Sequence, residues 1–191
     1  MEFELKGVEY RIAKLDAMKQ FHIVRRLAPL MAELAPKDGK DGGSMDGLAS
    51  ALSKMSDADS ESLLHSLLGC ITRKENQGLG FSKVTNGTSL MYQDIDFPEL
   101  MQLAWQALQF NFKDFFNALT SNLSGASLGK RQVSWVSLPG GEDWILRPVI
   151  RGAIRYESLI DGTLSLADVA LLNDALDVQD ENESRYREAQ K

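Results

Sequence analysis

Residues able to do chemistry are few and widely spaced in this 191-residue chain. Imidazoles stand at His22 and His65, and a thiol at Cys70. A structural zinc site needs four such ligands at tight spacing, and a zinc hydrolase helix needs two histidines four apart. Neither pattern occurs. "GASLGK" (125–130) comes nearest to a phosphate-binding loop. Gly125 and Gly129-Lys130 are one residue too close for it, and Arg131 stands where a magnesium-binding Ser or Thr belongs. Carboxylates gather at "DID" (94–96) and "DENE" (180–183), which read as a helix cap and a solvated tail. Catalytic carboxylates need a shared pocket that splits their pKa values. A hydrolase built on His65 or Asp94 is the enzymatic alternative. The reading adopted has no catalytic, cofactor-binding or metal-binding residue and no cofactor.

The remaining chemistry is apolar and cationic. Phe110, Phe112, Phe115 and Phe116 place four rings within seven residues, too many for one side of one helix. With Met101 and Trp105 they form a candidate partner-binding group. Trp144, Arg147, Arg151 and Arg155 form a second group, with the arginines four apart. These cations either pair with Glu157 or Asp161 or offer charged contacts to a partner.

The elements that must position these groups are mainly helical. Residues 2–12 alternate apolar and polar around Lys6-Gly7, which predicts a tight hairpin. Asp16 can cap a helix with apolar residues at 23, 27, 30 and 34, broken or kinked at Pro29. Residues 36–47 read as a loop, followed by a short helix over 48–55. Ser56 and Asp59 have capping-box spacing ahead of Leu63, Leu64, Leu67, Leu68 and Ile71, a helix expected to end near Lys74. Asn86-Gly87 predicts a second hairpin over 81–92. Asp96 and Pro98 then start the aromatic helix, expected to bend near Asn111. Past "PGG" (139–141), a helix is expected from Pro148 to Gly162. Trp135, Trp144, Leu146, Ile150, Ile154, Tyr156, Leu159 and Leu172 are the expected small core of this C-terminal part. A last helix with stripe Val169, Leu172 and Leu176 is expected to fray over 179–191.

These elements give a fold that is mainly α with two small β-hairpins (α+β). A helical N-terminal domain spans 1–119, a linker 120–133, and a small helical C-terminal module 134–191. The linker takes up most of "SNLSGASLGKRQVSW" (121–135), which has few residues able to pack. Charge excludes some partners. Up to Lys130 there are 14 Lys/Arg against 16 Asp/Glu, and beyond it 7 against 11, so neither part offers a basic nucleic-acid surface. No apolar run reaches the roughly 20 residues a membrane helix needs. The acidic start "MEFELKGVEY" lacks the marks of a signal peptide, and the lone Cys70 allows no internal disulfide. A soluble cytoplasmic protein is expected, with Cys70 a small buried residue.

Residues 1–119 resemble the tail assembly chaperones of long-tailed bacteriophages. The resemblance rests on "FELKGVEYRIAKLDAMKQFHIVRRLAPLMAEL", "MSDADSESLLHSLLGCITR" and "DIDFPELMQLAWQALQFNFKDFFNAL". Residues 142–190, through "WILRPVIRGAIRYESLIDGTLSLADVALLNDALDVQDEN", look like a second phage protein type encoded directly downstream of such chaperones.

The resemblance implies a non-enzymatic chaperone that keeps the phage tape measure protein soluble. In the long form, made by programmed ribosomal frameshifting, an extension recruits the major tail tube protein. Leu128-Gly129-Lys130-Arg131 is compatible with a one-base slip at Gly129-Lys130. Such a chaperone works in the host cytoplasm and is absent from the mature virion. Its partners are proteins, with no nucleic acid and no membrane, and self-association stays open. The alternative is a permanent minor component of the tail. Met18, Met31, Met91 and Met101, with the phenylalanines, suit an adaptable groove for an apolar helix.

Overall fold

The hairpin forms as the alternation predicts. Glu2–Leu5 (β1) and Val8–Ile12 (β2) pair antiparallel, with the rings of Phe3 and Tyr10 stacked opposite each other at 5.7 Å. Both turn residues have positive φ, 50° at Lys6 and 79° at Gly7, as a two-residue turn matching the strand twist requires. Gly7 adopts this freely. At Lys6 it costs roughly 1 kcal/mol, and the side chain then reaches Asp96 and Glu99.

The computed structural model describes residues 1–30, 45–75, 80–122 and 137–190. They divide into two compact units. One comprises Met1–Leu15 and Lys19–Lys113, the other Asp16–Met18 and Asp114–Lys191.

In the first unit the hairpin belongs to a larger sheet. Ile71–Lys74 (β3) pairs with β2, and Phe81–Lys83 (β4) pairs with β3, giving the all-antiparallel order β1-β2-β3-β4. One face buries Tyr10, Ile12 and Ile71. The other carries the cross-strand pairs Arg11–Glu2 and Lys74–Glu9, both at 2.7 Å, and sets Arg11 over the Phe81 ring at 4.1 Å. The Asn86-Gly87 turn is present, with φ 100° at Gly87, but it closes only the single bridge Thr85–Leu90. The second hairpin is therefore a minimal one, and β4 finds its partner in β3.

Helix starts follow their caps. Ala17–Leu27 (α1) follows Asp16 and gives way to a 3-10 turn, Ala28–Leu30, at Pro29. Met45–Ser53 (α2) begins within the stretch expected to be loop; the rest of that loop and Met31 lie outside the described residues. Asp57–Leu68 (α3) is capped by Ser56, whose hydroxyl accepts from the Asp59 amide at 3.2 Å and donates to its carboxylate at 2.6 Å. It ends six residues before the expected Lys74, because Ile71 and Arg73 turn inward as alternate residues of β3.

Phe97–Asn122 (α4) is capped by Asp96, whose carboxylate accepts from the Glu99 amide at 2.9 Å, and runs unbroken through Asn111. It therefore includes residues 120–122, expected in the linker; 123–136, with Trp135, lie outside the described residues. Leu27, Leu48, Leu63, Leu67, Leu103 and Phe112 fill the core with no exposed surface. Each such side chain contributes on the order of 1.5–3 kcal/mol. Cys70 is buried as expected, its thiol donating to the Leu67 carbonyl, and burial pushes its pKa up to about 11.

The second unit departs more from expectation. Its helices are Asp143–Ile150 (α5), Glu157–Ile160 (α6) and Leu166–Ala189 (α7). Pro148 lies inside α5 rather than starting it. The shifted phase buries Ile145 and Pro148 with Leu159, Leu166 and Val169, and leaves the expected core residues Ile150 (76% exposed) and Tyr156 outside. Proline has no N–H, so the Trp144 carbonyl loses its helical donor. The side-chain amide of Asn173, itself 3% exposed, supplies a replacement at 3.0 Å. A full capping box, Ser165 with Asp168, starts α7. This helix does not fray at 179 but continues to Ala189, with Arg185–Glu181 and Arg187–Glu183 pairs one turn apart.

Asn173→Ala should destabilise the protein by about 1–3 kcal/mol, because it leaves the part-buried Trp144 carbonyl without this donor. In a Pro148→Ala background the penalty should shrink, since residue 148 then donates to Trp144 itself. Urea unfolding of the four proteins in this double-mutant cycle measures the coupling, and equal penalties in both backgrounds would refute the assignment.

Candidate partner-binding surface

Two buried polar contacts set the rotation of α4 in the first unit. The Tyr10 hydroxyl donates to Glu99 at 2.8 Å, in the first turn of the helix. Glu99 is only 5% exposed, and Lys6 lies 3.6 Å from its carboxylate. Burial, then the hydrogen bond to Glu99, raises the pKa of Tyr10 well above the usual phenol range. Three turns on, Asn111 accepts from the Leu15 amide at 2.7 Å and donates to the Ala107 carbonyl at 3.1 Å. Beside the first contact, buried Arg73 holds Asp94 with two bonds of 2.7 and 2.6 Å and covers the Tyr92 ring at 4.6 Å. Tyr92 donates to Glu75 at 2.7 Å.

These bonds account for the titration shifts of the carboxylates. Asp94 is held below the usual carboxylate range by hydrogen bonds from Arg73, Asp96 by Lys6, and Glu75 by Tyr92. His65 Nδ1 lies 2.7 Å from the Thr85 hydroxyl. Asp94 and His65, the residues of the enzymatic alternative, both serve structural contacts. Among the described residues, no three His, Cys, Asp or Glu side chains gather to hold a metal, and no helix is long and apolar enough to cross a membrane.

With its rotation set, α4 sorts the aromatic group. Met101, Phe112 and Phe115 point into packing, at 4%, 0% and 6% exposed, so in this fold they present no surface to a partner. Phe110 is 38% exposed. Trp105 and Phe116 are half-buried and share one flank, eleven residues apart, while Phe110 lies on the opposite flank. Phe97 is more open still, at 69%, and Met91 at 58%. Sequence reasoning overlooked Phe97 because it precedes the helical stripe. Its place directly before Pro98, ahead of the core, was the available signal.

In the second unit Trp144 is partly exposed, with its ring edge-on to Phe115 at 6.3 Å between centroids. Arg147 reaches Asp177 at 2.7 Å and Asp180 at 3.1 Å, and Arg151 reaches Asp180 at 2.7 Å. The partners are these α7 acids, not Glu157 or Asp161. Asp161 instead accepts from the Thr163 amide in its own loop. Residues 144, 147 and 151 meet 173, 177 and 180 in the same order, so α5 and α7 run in the same direction. Gly152, with φ 72°, ends the run before Arg155, which is exposed and outside this network.

A family model described as phage tail assembly chaperone protein, TAC, matches residues 6–124. A second, described as a family of unknown function (DUF6889), matches residues 154–191. No curated protein and no solved structure matches the chain.

Asp94, Asp96 and Glu75 have lowered pKa values in the folded state. Their contribution is therefore complete above the unfolded carboxylate pKa of about 4 and is lost as pH falls through the lower folded values. The urea midpoint should drop on acidification below about pH 4. Asp94→Asn should lower it at pH 7 and flatten part of the acid loss. An unchanged acid profile in that variant would show that the Arg73 pair contributes nothing.

Proposed function

The chain belongs to the phage tail assembly chaperone family, and from that premise we propose that it is a non-enzymatic chaperone that keeps the tape measure protein soluble and recruits the major tail tube protein. The carrying observation is the family match over residues 6–124, which takes in β2, β3 and β4, the helices of the first unit and all of α4. The tape measure protein is the expected client of that part. Its binding residues on this reading are Trp105, Phe110 and Phe116, the members of the aromatic group that α4 leaves at least partly open, joined by Phe97. Aromatic edges left open on a helix whose other side is buried suit reversible capture of an apolar helix.

Residues past the linker carry tube recruitment on this reading. Trp144 and Arg155 are their members outside the ion pairs, since Arg147 and Arg151 are engaged by Asp177 and Asp180. The chain is the long form, its two frames joined at or just after Lys130. It acts in the host cytoplasm and leaves before the virion matures.

Co-expression with the tape measure protein encoded beside it should yield a soluble complex. Trp105→Asp combined with Phe116→Asp should cut the soluble yield several-fold without lowering the amount of chaperone. A piece ending at Asn122, which keeps α4 whole, should suffice for solubility. Mass spectrometry of purified virions should find no trace of the chain. Its stoichiometric presence there would instead make it a permanent tail component.

A further inference from the structure

The outward side of α4 lacks the charges that a water-facing helix normally carries. No Lys, Arg, Asp or Glu occurs from Leu100 through Phe112, in a chain that is 25% charged. Gln102, Gln106 and Gln109 hold the outward positions instead, and Lys113 ends their line about 16 Å along. Gln102 and Lys113 are exposed, Gln106 and Gln109 partly so. At 100° per residue the four fall on one narrow strip, with Trp105 along one border and Phe110 along the other. Among the described residues, the side chains of the three glutamines and Lys113 make no hydrogen bond or ion pair. The solvated end of α7 shows the ordinary pattern, with Glu181, Glu183, Arg185, Arg187 and Glu188 close together.

Loss of charge and gain of aromatic residues distinguish the centre of an interface from other surface. The reason is desolvation. A covered ion needs a matched counterion, whereas a covered amide needs only a neutral hydrogen bond. A strip three turns long and one residue wide fits a second helix laid alongside it. Lys113 decides what that helix must carry. No acid stands three or four residues to either side of it on α4. Once covered, Lys113 therefore takes its carboxylate from the partner. A second copy of α4 brings none: packed antiparallel it sets Gln102 against Lys113, and packed in the same direction it sets Lys113 against itself.

We propose that the outward face of α4 from Gln102 to Lys113 docks a helix that is uncharged where it crosses the glutamines and carries a carboxylate opposite Lys113. This surface adjoins the rings assigned above to the tape measure protein and takes its helical client from that reading. New is the chemistry that the bound stretch of the client must have.

The full-length chain is titrated with two designed helical peptides. Both carry a leucine stripe with glutamines beside it, and one ends in glutamate where the other ends in lysine. Fluorescence anisotropy should show the glutamate peptide binding roughly threefold tighter or more. Lys113→Glu should reverse that preference. Gln106→Glu and Gln106→Lys should each weaken the glutamate peptide several-fold, because either charge loses water in mid-strip without gaining a counterion. The urea midpoints of these variants, all at positions open to water, should stay at the wild-type value.

Equal binding of both peptides, binding of neither, or a preference that survives Lys113→Glu overturns the proposal. So do Gln106 variants that leave binding unchanged or shift it in opposite directions. Sedimentation showing a dimer that Gln106→Lys dissociates overturns it too, and assigns the face to a second copy. Co-expression with the tape measure protein is scored separately. A soluble complex without the peptide preference refutes this surface chemistry alone, and the peptide preference without a soluble complex refutes the tape measure reading alone.

Discussion

The first unit depends on how α4 is rotated about its own axis. Two polar contacts fix that rotation, Tyr10 to Glu99 and Asn111 to Leu15, about 18 Å apart along the helix. Each is buried, and there an unmade hydrogen bond costs more than a made one gains. Turning the helix by one residue would strand both. Hydrophobic burial alone tolerates such a turn, because Met101, Ala104, Leu108, Phe112 and Phe115 make a broad stripe with aromatic residues on both sides. The polar pair removes that ambiguity and decides which rings face out.

The same logic shows where sequence reading succeeds and where it stops. Local signals survived: the Lys6-Gly7 hairpin, the break at Pro29, and the caps Ser56 and Asp96 depend on atoms within three or four residues of each other. Non-local pairings did not. Ile71 continues the Leu63–Leu67 spacing and so reads as helix, yet its partner is Ile12, 59 positions earlier. Gly69 and the β-branched pair Ile71-Thr72 were the available hints. Arg73 looks like a surface cation until Asp94 is brought beside it. Among the aromatic candidates, crowding alone implied that some rings must face out. Which ones was settled by Glu99 and Asn111, neither of which periodicity marks as an anchor.

In the second unit one proline misled the reading. Pro148 resembles a helix start, because its missing donor is harmless in a first turn. It sits mid-helix instead, made tolerable by Asn173 of α7. The arginines were then assigned acids near in sequence, whereas Asp177 and Asp180 approach only because α7 lies alongside α5. The acidic stretch read as a solvated tail is partly this acceptor row and partly helix. Its helicity past Asp180 rests on the one-turn ion pairs of Arg185 and Arg187, worth only a few tenths of a kcal/mol each.

The exposures on α4 bear on how a chaperone lets go. A fully buried aromatic anchor contributes several kcal/mol to a complex, and a few such anchors give complexes that persist. Trp105 and Phe116 are already half-buried, so a partner removes only the remainder of each ring from water. Gains of roughly 1 kcal/mol per ring, less the cost of association, keep any single contact weak. If the client is a long helical protein, as proposed above, its retention then has to come from many chaperone copies bound along it, each replaceable in turn. On the proposed reading this is what a growing tube requires: its subunits displace one weakly held copy at a time, and no step has to break a strong interface.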